Sequence, residues 1–191
     1  MASVLIVHAS REGQTMRIAE RLADTLRQGG NEVRLAAAEP FPGVGGVDGV
    51  IVAASVHLGR HPRSLARAVR AHRTVLEHLP SAFLSVCLAA ACGDPLHRAE
   101  ADGYLDDFVR RTGWQPDMAA SVAGALRFSR YGYLKARFVR AMSRRERLTS
   151  ELGVDREFTD WNEVRRFAEA FGALLGSIPR PRFERTPPTL T

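Results

Sequence analysis

Six consecutive residues near the N-terminus combine the side chains and the backbone freedom that a phosphate site needs. The segment Ser10-Arg11-Glu12-Gly13-Gln14-Thr15 lies between an apolar run and a helical pattern. It has hydroxyls at both ends, a glycine where the chain must turn, and backbone N–H groups at the start of a helix. Such N–H and hydroxyl donors bind phosphate. The alternative interpretation is an ordinary strand–helix turn that Thr15 caps.

This loop differs from two common nucleotide-binding patterns. No Gly-Lys-Ser/Thr follows it, as in a Walker loop, and it has one glycine where the dinucleotide fingerprint has three. A phosphate monoester held mainly by N–H and hydroxyl groups fits FMN. The sequence therefore predicts an FMN phosphate at residues 10–15.

Two further loops are expected to lie beside the first, because they follow the apolar runs 50–54 and 82–91. We predict that they flank the flavin ring with Ser55, Val56, His57, Leu58 and Gly59, and with Cys87, Leu88, Ala89, Ala90 and Ala91. His57 and His61 could equally be ligands or polar surface residues. Cys87 and Cys92 are interpreted as small buried apolar residues, since their spacing suits neither a disulfide framework nor a zinc site.

The elements that would position these loops alternate between strand and helix patterns. Strands are predicted at 3–9, 32–37, 50–54, 82–91 and 118–125, and helices at 15–28, from Pro62 to Pro80, at 97–112 and after the capping box Asp160–Glu163. This alternation predicts an α/β fold, with a five-stranded parallel sheet of order 2-1-3-4-5 between helices. Ligands of such sheets bind at the carboxyl ends of strands one and three. We expect one domain over residues 1–178 and a disordered tail over 179–191.

Composition agrees with a globular protein in a reducing compartment. The 191 residues are 45% apolar and 25% charged, and nothing approaches the roughly 18 consecutive apolar residues of a membrane span. The N-terminus is interpreted as a first strand, not a signal peptide. With two cysteines in the chain, we expect a cytoplasmic location.

Positive charge is concentrated in residues 126–147. That segment holds eight basic residues against the single acid Glu146, a net charge of +7, so the remaining residues sum to −1 of the chain's +6. The basic residues are Arg127, Arg130, Lys135, Arg137, Arg140, Arg144, Arg145 and Arg147. A helix over 134–148 would place four of these arginines on one face, suited to an anionic membrane surface or to a substrate that carries carboxylates. A solvated helix packed on the body is the third interpretation.

Several segments together resemble the flavodoxin superfamily, whose phosphate loop has the form Thr/Ser-x-Thr/Asp/Glu-Gly-x-Thr. Within it, the chain is similar to the menaquinone-dependent protoporphyrinogen IX dehydrogenase family from about residue 3 to residue 176. The matching segments are 11–15, 54–56 with Gly59, 80–83 with 85–86, 113–114 with 116–117, 123–131 and 158–161. The segment Gly124-Ala125-Leu126-Arg127 and its basic extension are specific to this branch.

This resemblance implies an FMN-dependent enzyme that oxidises protoporphyrinogen IX with a membrane quinone as acceptor. It implies that the basic insertion 126–157 contacts substrate or membrane, the latter through 134–147 at the inner face of the cell membrane. Arg127, Arg130 and Tyr131 are predicted to bind substrate, because they follow the end of the fifth strand. Three features depart from the family: His57-Leu58 replaces Arg-Tyr, Cys87 replaces Asn, and residues 147–151 replace a Gly-Gly-x-Thr-Asp stretch.

Two other functions remain open alternatives from the sequence, and a third is not expected. A flavodoxin-type electron carrier would usually present an acidic docking face, and this chain has a basic patch. A flavin-dependent NAD(P)H:quinone reductase fits the fold, although no nicotinamide signature is visible. Nucleic-acid binding is not expected, since no known module accompanies the patch. No side chain is assigned as a general base, no metal is predicted, and a homodimer is left open.

Overall fold

Five parallel strands form a single sheet with helices on both faces. A computed structural model of the chain describes residues 1–10, 12–126 and 156–177. The strands are β1 (Ser3–Ala9), β2 (Glu32–Ala37), β3 (Gly49–Ser55), β4 (Ser81–Cys87) and β5 (Met118–Ala123). Their order in the sheet is β2-β1-β3-β4-β5, which confirms the predicted order.

The helices are α1 (Gln14–Gln28), α2 (Arg63–Ala71), α3 (Arg73–Leu76), α4 (Pro95–Thr112) and α5 (Trp161–Ser177). A three-residue 3-10 helix (Ala89–Ala91) precedes α4. Two short strands, β6 (Ala125–Leu126) and β7 (Arg156–Glu157), pair antiparallel beside the main sheet. The predicted tail 179–191 and most of the basic insertion lie outside the described residues.

Alternating side chains of the strands fill one apolar core on each side of the sheet. Val4 and Ile6 of β1 pack with α1 and α5, whereas Leu5 and Val7 pack in the core that α2 and α4 cover. Because successive residues of a strand point to opposite faces, a strand between two helical layers must be apolar at nearly every position. This explains the unbroken apolar runs in the sequence.

Several element boundaries differ from the predicted ones. The helix expected from Pro62 to Pro80 is divided at His72, whose φ of −102° leaves the helical range and whose Nδ1 lies 2.9 Å from the Ala68 carbonyl oxygen. The strand expected over 82–91 ends at Cys87, because the alanines that follow coil into the 3-10 helix. The strand expected over 118–125 ends at Ala123.

Helix caps account for the ends of the two long helices that follow β4 and β7. Asp94 accepts hydrogen bonds from the N–H groups of Leu96 (3.1 Å) and His97 (3.2 Å), so α4 begins at Pro95, two residues before the predicted start. It ends at Gly113, as predicted, with φ +70°. Asp160 likewise accepts from the N–H groups of Asn162 and Glu163 at the start of α5.

Candidate functional site

A cleft opens at the carboxyl edge of the sheet, where the loops after β1, β3 and β4 converge. The chain leaves β1 towards β2 on one side of it, and β3 leads towards β4 on the other, so the loops separate and leave a crevice. The residues that line the cleft are Ser10, Glu12, Gln14, Thr15, Ser55, Val56, His57, Val86, Cys87, Leu88, Gly124 and Ala125. The crevice is therefore where the sequence analysis expected it.

The structure brings together nine of the predicted cofactor-binding residues from three separate segments. They are Ser10, Glu12, Gln14, Thr15, Ser55, Val56, His57, Cys87 and Leu88. Gly13, Leu58, Gly59, Ala89, Ala90 and Ala91 belong to the same loops without lining the cleft. Arg11 and the predicted substrate residues Arg127, Arg130 and Tyr131 lie outside the described residues, as does the segment 134–147.

The first loop is a tight turn that points a helix N-terminus into the cleft. The Gly13 N–H donates to Ser10 Oγ at 3.0 Å, and Gly13 adopts φ +92°, a left-handed conformation that favours glycine. Gly13 is the N-cap of α1, and as a glycine it supplies no side-chain cap. The alternative in which Thr15 caps the turn is therefore wrong: Thr15 is the second residue of the helix, and it is buried against the cleft.

The uncapped start of α1 has the character of an anion site. The first N–H groups of a helix lack intrahelical partners, and the helix dipole adds partial positive charge there. Glu12 also lines the cleft, and its carboxylate does not favour an anion. Among the described residues of this loop, the groups that could attract a phosphate are the N–H groups and the hydroxyls of Ser10 and Thr15.

A hydrogen-bond chain holds the start of α1 against the far wall of the cleft. Gln14 Nε2 donates to Thr159 Oγ1 at 2.9 Å, and the Thr159 hydroxyl donates to the Ala123 carbonyl oxygen at 2.9 Å. Arg17 of the same helix forms an ion pair with Glu157. Sequence reasoning missed this role of Thr159, because nothing local to residue 159 indicates a partner 145 residues away.

The second loop is a two-residue turn with left-handed backbone at both central positions. His57 and Arg60 exchange backbone hydrogen bonds of 2.9 and 3.2 Å, while Leu58 has φ +50° and Gly59 has φ +75°. A left-handed conformation costs a leucine about 1–2 kcal/mol. The side chain of Leu58 is 75% exposed, whereas His57 lines the cleft.

His61 anchors this second loop in the core below the cleft. It is 3% exposed, its Nε2 lies 3.1 Å from Ser85 Oγ, and the rings of Phe83 and Phe108 meet it edge-on at 5.2 and 5.1 Å. Burial lowers the pKa of His61 to about 4, with a smaller opposing effect of Asp107. Both predicted alternatives for His61, ligand or polar surface residue, are therefore wrong; it is a neutral core residue.

The third loop brings Cys87 and Leu88 to the cleft. Cys87 is buried, and burial raises the pKa of its thiol, which keeps it protonated. This confirms the interpretation of Cys87 as a small buried residue. The same interpretation is wrong for Cys92, which is only half-buried, and the two cysteines are not joined to each other.

Comparison with known proteins agrees with the fold. Residues 5–151 match the family model of the flavodoxin domain. The Escherichia coli K12 protein named protoporphyrinogen IX dehydrogenase (quinone) is 31% identical over 173 residues, covering 89% of this chain and 94% of that protein. A Leishmania major protein of the same name is 28% identical over 183 residues, covering 93% of this chain and 78% of its own.

Among solved structures, a short-chain flavodoxin associated with a non-canonical PDU bacterial microcompartment has the same fold. It superposes with a TM-score of 0.56 at 13% identity, covering 92% of this chain and 99% of that chain.

The buried His61 predicts acid sensitivity of the fold. Its pKa is about 4 when folded and 6.5 when unfolded, so unfolding takes up a proton between those pH values. The contribution of His61 to the free energy of unfolding is fully present above pH 6.5. It is lost as the pH falls towards 4, and its size is on the order of 3 kcal/mol. Urea unfolding of wild type and His61→Gln, at about pH 7 and about pH 4.5, should show a smaller pH effect in the variant. The exposed-site variant His78→Gln should keep the wild-type difference, and equal pH effects in all three proteins would contradict this assignment.

Proposed function

The chain belongs to the flavodoxin domain family, in the branch with relatives named protoporphyrinogen IX dehydrogenase (quinone), and from this membership we propose that it oxidises protoporphyrinogen IX to protoporphyrin IX with a quinone as acceptor. Membership makes it a flavin-dependent oxidoreductase. The identity of the flavin, the substrate and the acceptor belongs to the proposal. The structural observation that supports the proposed function is that three separate loops converge on one cleft beside the N-terminus of α1.

FMN is the flavin that we propose for this cleft. Its phosphate would be held by the N–H groups at the start of α1 and by the hydroxyls of Ser10 and Thr15, which are hydrogen-bond donors suited to a phosphate. The ring would lie towards Val56, His57 and Leu88, which line the cleft from the second and third loops. When bound, the flavin supplies the redox chemistry, while the protein supplies binding, orientation and electrostatics.

The side chains of the cleft position reactants more than they transfer protons. Among the described lining residues, the ionisable groups are Glu12, His57 and Cys87, and the thiol of Cys87 is kept protonated by its raised pKa. No general base is assigned. Converting the porphyrinogen to the porphyrin removes six electrons and six protons, so three quinones are reduced to quinols for each porphyrin formed.

Substrate binding is proposed for Arg127, Arg130 and Tyr131. Gly124 and Ala125 line the cleft, and Ala125 begins the strand β6, so the chain enters the 127–131 segment directly from the cleft wall. Guanidinium groups pair well with carboxylates, and the propionates of a porphyrinogen would supply them.

Contact with an anionic membrane surface is proposed through the segment 134–147, since a quinone acceptor lies in the bilayer. Among the described residues, no helix is long and apolar enough to cross a membrane. The described part adds a second basic surface: residues 58–76 hold five arginines and no acid. Arg63, Arg67 and Arg70 are exposed and share one face of α2, the helix that follows the second loop of the cleft.

The phosphate site predicts a selective loss of FMN affinity. Ser10→Ala combined with Thr15→Ala removes two hydroxyls, and each hydrogen bond to a charged group contributes about 1.5–3 kcal/mol, so the FMN dissociation constant should rise at least ~10-fold. Fluorescence titration measures this change. Riboflavin lacks the phosphate, and its affinity should stay as in wild type. Ser64→Ala, an exposed hydroxyl outside the cleft, is the matched control. Unchanged FMN affinity in the double variant would reject this loop as the phosphate site.

Anaerobic assay of the FMN-loaded protein tests the reaction. We expect protoporphyrin IX fluorescence to appear when protoporphyrinogen IX and a quinone are both supplied, with three quinols formed for each porphyrin. Reduction of quinone by NAD(P)H without porphyrinogen oxidation would instead identify a quinone reductase. Electron exchange with redox proteins alone would identify a carrier. Either result would overturn the proposed substrate.

Charge reversal tests the membrane contact. The variant Arg137→Glu/Arg140→Glu/Arg144→Glu should co-sediment less with anionic vesicles at low salt, because each basic residue near the lipid contributes about 1 kcal/mol. Arg63→Glu/Arg67→Glu tests the α2 surface in the same way. Arg165→Glu on α5, which packs on the opposite face of the sheet, is the control. Binding of both multiple variants at the wild-type level would reject the membrane role.

A further inference from the structure

We infer that Cys92, Asp94 and His97 form a binding site for a single zinc ion. The three residues lie between the 3-10 helix and the first turn of α4, outside the lining of the cleft. Each offers one ligand atom (a sulfur, a carboxylate oxygen and a ring nitrogen), and these atoms all lie within 4.8 Å of one another. All three residues are half-buried, so an ion could reach them from solvent and still be partly shielded.

The local backbone explains why three residues from one short segment meet. Cys92 ends the 3-10 helix in an extended conformation (φ −93°, ψ 126°), and Asp94 is the N-cap of α4. His97 stands three residues after this N-cap, the position from which a side chain reaches back to the cap. Its Nδ1 lies 2.5 Å from Asp94 Oδ2. The turn between the two helices therefore gathers the three ligand atoms from one short segment, residues 92–97.

The cap leaves Asp94 able to serve as a ligand. Its Oδ1 accepts the hydrogen bonds from Leu96 and His97 that start α4, while Oδ2 faces the imidazole. One oxygen can therefore keep the helix capped while the other binds an ion. Asp94 and His97 alone would be enough for an ion pair that only caps the helix. The nearby thiol of Cys92 supplies the third ligand.

The mixed set of donors selects the kind of metal. Calcium and magnesium take oxygen ligands, whereas sulfur, imidazole nitrogen and carboxylate oxygen together are the ligands of zinc. Three protein ligands leave a fourth tetrahedral position for water or another small ligand. Sequence reasoning did not indicate this zinc site, because the segment has no paired cysteines or histidines. The aspartate that completes the set also serves as a helix cap.

A zinc ion here would join the third loop of the cleft to α4. Cys87 and Leu88 line the cleft, and the chain reaches Cys92 through the 3-10 helix only a few residues later. The inference rests on these ligands and does not depend on the proposed substrate or flavin, so the two can fail separately.

Metal binding by the purified full-length protein tests the site. Calorimetric titration with Zn²⁺, followed by elemental analysis after dialysis, should give one ion per chain. Titration with Cd²⁺ should give the ultraviolet charge-transfer band of a thiolate ligand. Zn²⁺ should also raise the melting temperature of wild type, because a ligand that binds only the folded state stabilises it.

Variants separate ligation from folding. Asp94→Asn keeps the helix cap, since asparagine caps as well as aspartate, so the melting temperature without metal should be unchanged. Its Zn²⁺ affinity should fall by more than ~10-fold, because even outer-shell partners contribute about 10- to 100-fold. His97→Gln should lose Zn²⁺ in the same way. Cys92→Ser should abolish the Cd²⁺ band, whereas Cys87→Ser should keep it.

Three results would overturn the site. One is loss of Zn²⁺ from wild type on dialysis. Another is equal Zn²⁺ affinity in wild type, Cys92→Ser and Asp94→Asn. The third is a Cd²⁺ band that depends on Cys87 and not on Cys92.

Discussion

Parallel pairing of β1 with both β2 and β3 is the constraint on which the cleft depends. Val4 of β1 is in register with Val33 of β2 on one side and with Gly49 of β3 on the other. Parallel neighbours cannot be joined by a tight turn, so each connection crosses a face of the sheet. The chain leaves β1 towards β2 and leaves β3 towards β4, so the loops at the carboxyl ends of these two adjacent strands run in opposite directions. The crevice forms there, and the loops that line it are those that must carry the chain away from the strands.

The same arrangement restricts where polar groups can lie. With helices on both faces, the central strands are buried throughout, and a polar side chain among them needs a partner. His61 and Ser85 satisfy each other in this way, between the rings of Phe83 and Phe108. This contact ties the second loop of the cleft to β4, so the loop that carries His57 is supported by the core.

Among the described residues, the groups at the proposed phosphate site that can donate hydrogen bonds carry no full positive charge. These donors are helix N–H groups and hydroxyls. Arg17, in the first turn of α1, forms an ion pair with Glu157. The unpaired cations of the described residues are on surfaces such as the exposed face of α2. The described part of the cleft would therefore hold a phosphate through backbone and hydroxyl donors, while the exposed arginines of α2 lie outside the cleft lining. This division fits the proposed function, in which a carboxylate-bearing substrate and a membrane acceptor react at one flavin.

Local patterns were sufficient for much of the fold and of the first loop. Apolar runs indicated all five strands, with the bounds of β1 and β2 as observed, and their alternation with helices led to the sheet order. The types of residue in 10–15 indicated an anion site, because glycine and hydroxyl residues before a helix have that property in any fold. The family resemblance indicated the fold and the type of enzyme.

Only the tertiary structure decided which residues meet. His61 is a core residue because Phe83, Ser85 and Phe108 surround it, and Thr159 supports the cleft because α5 returns to the edge of β5. The end of β4 near Cys87, by contrast, had a local signal, because the alanines that follow favour a helical over an extended backbone. Periodicity reports which face of an element is apolar, whereas a buried polar contact depends on a partner that is distant in the chain, and no local pattern contains that partner.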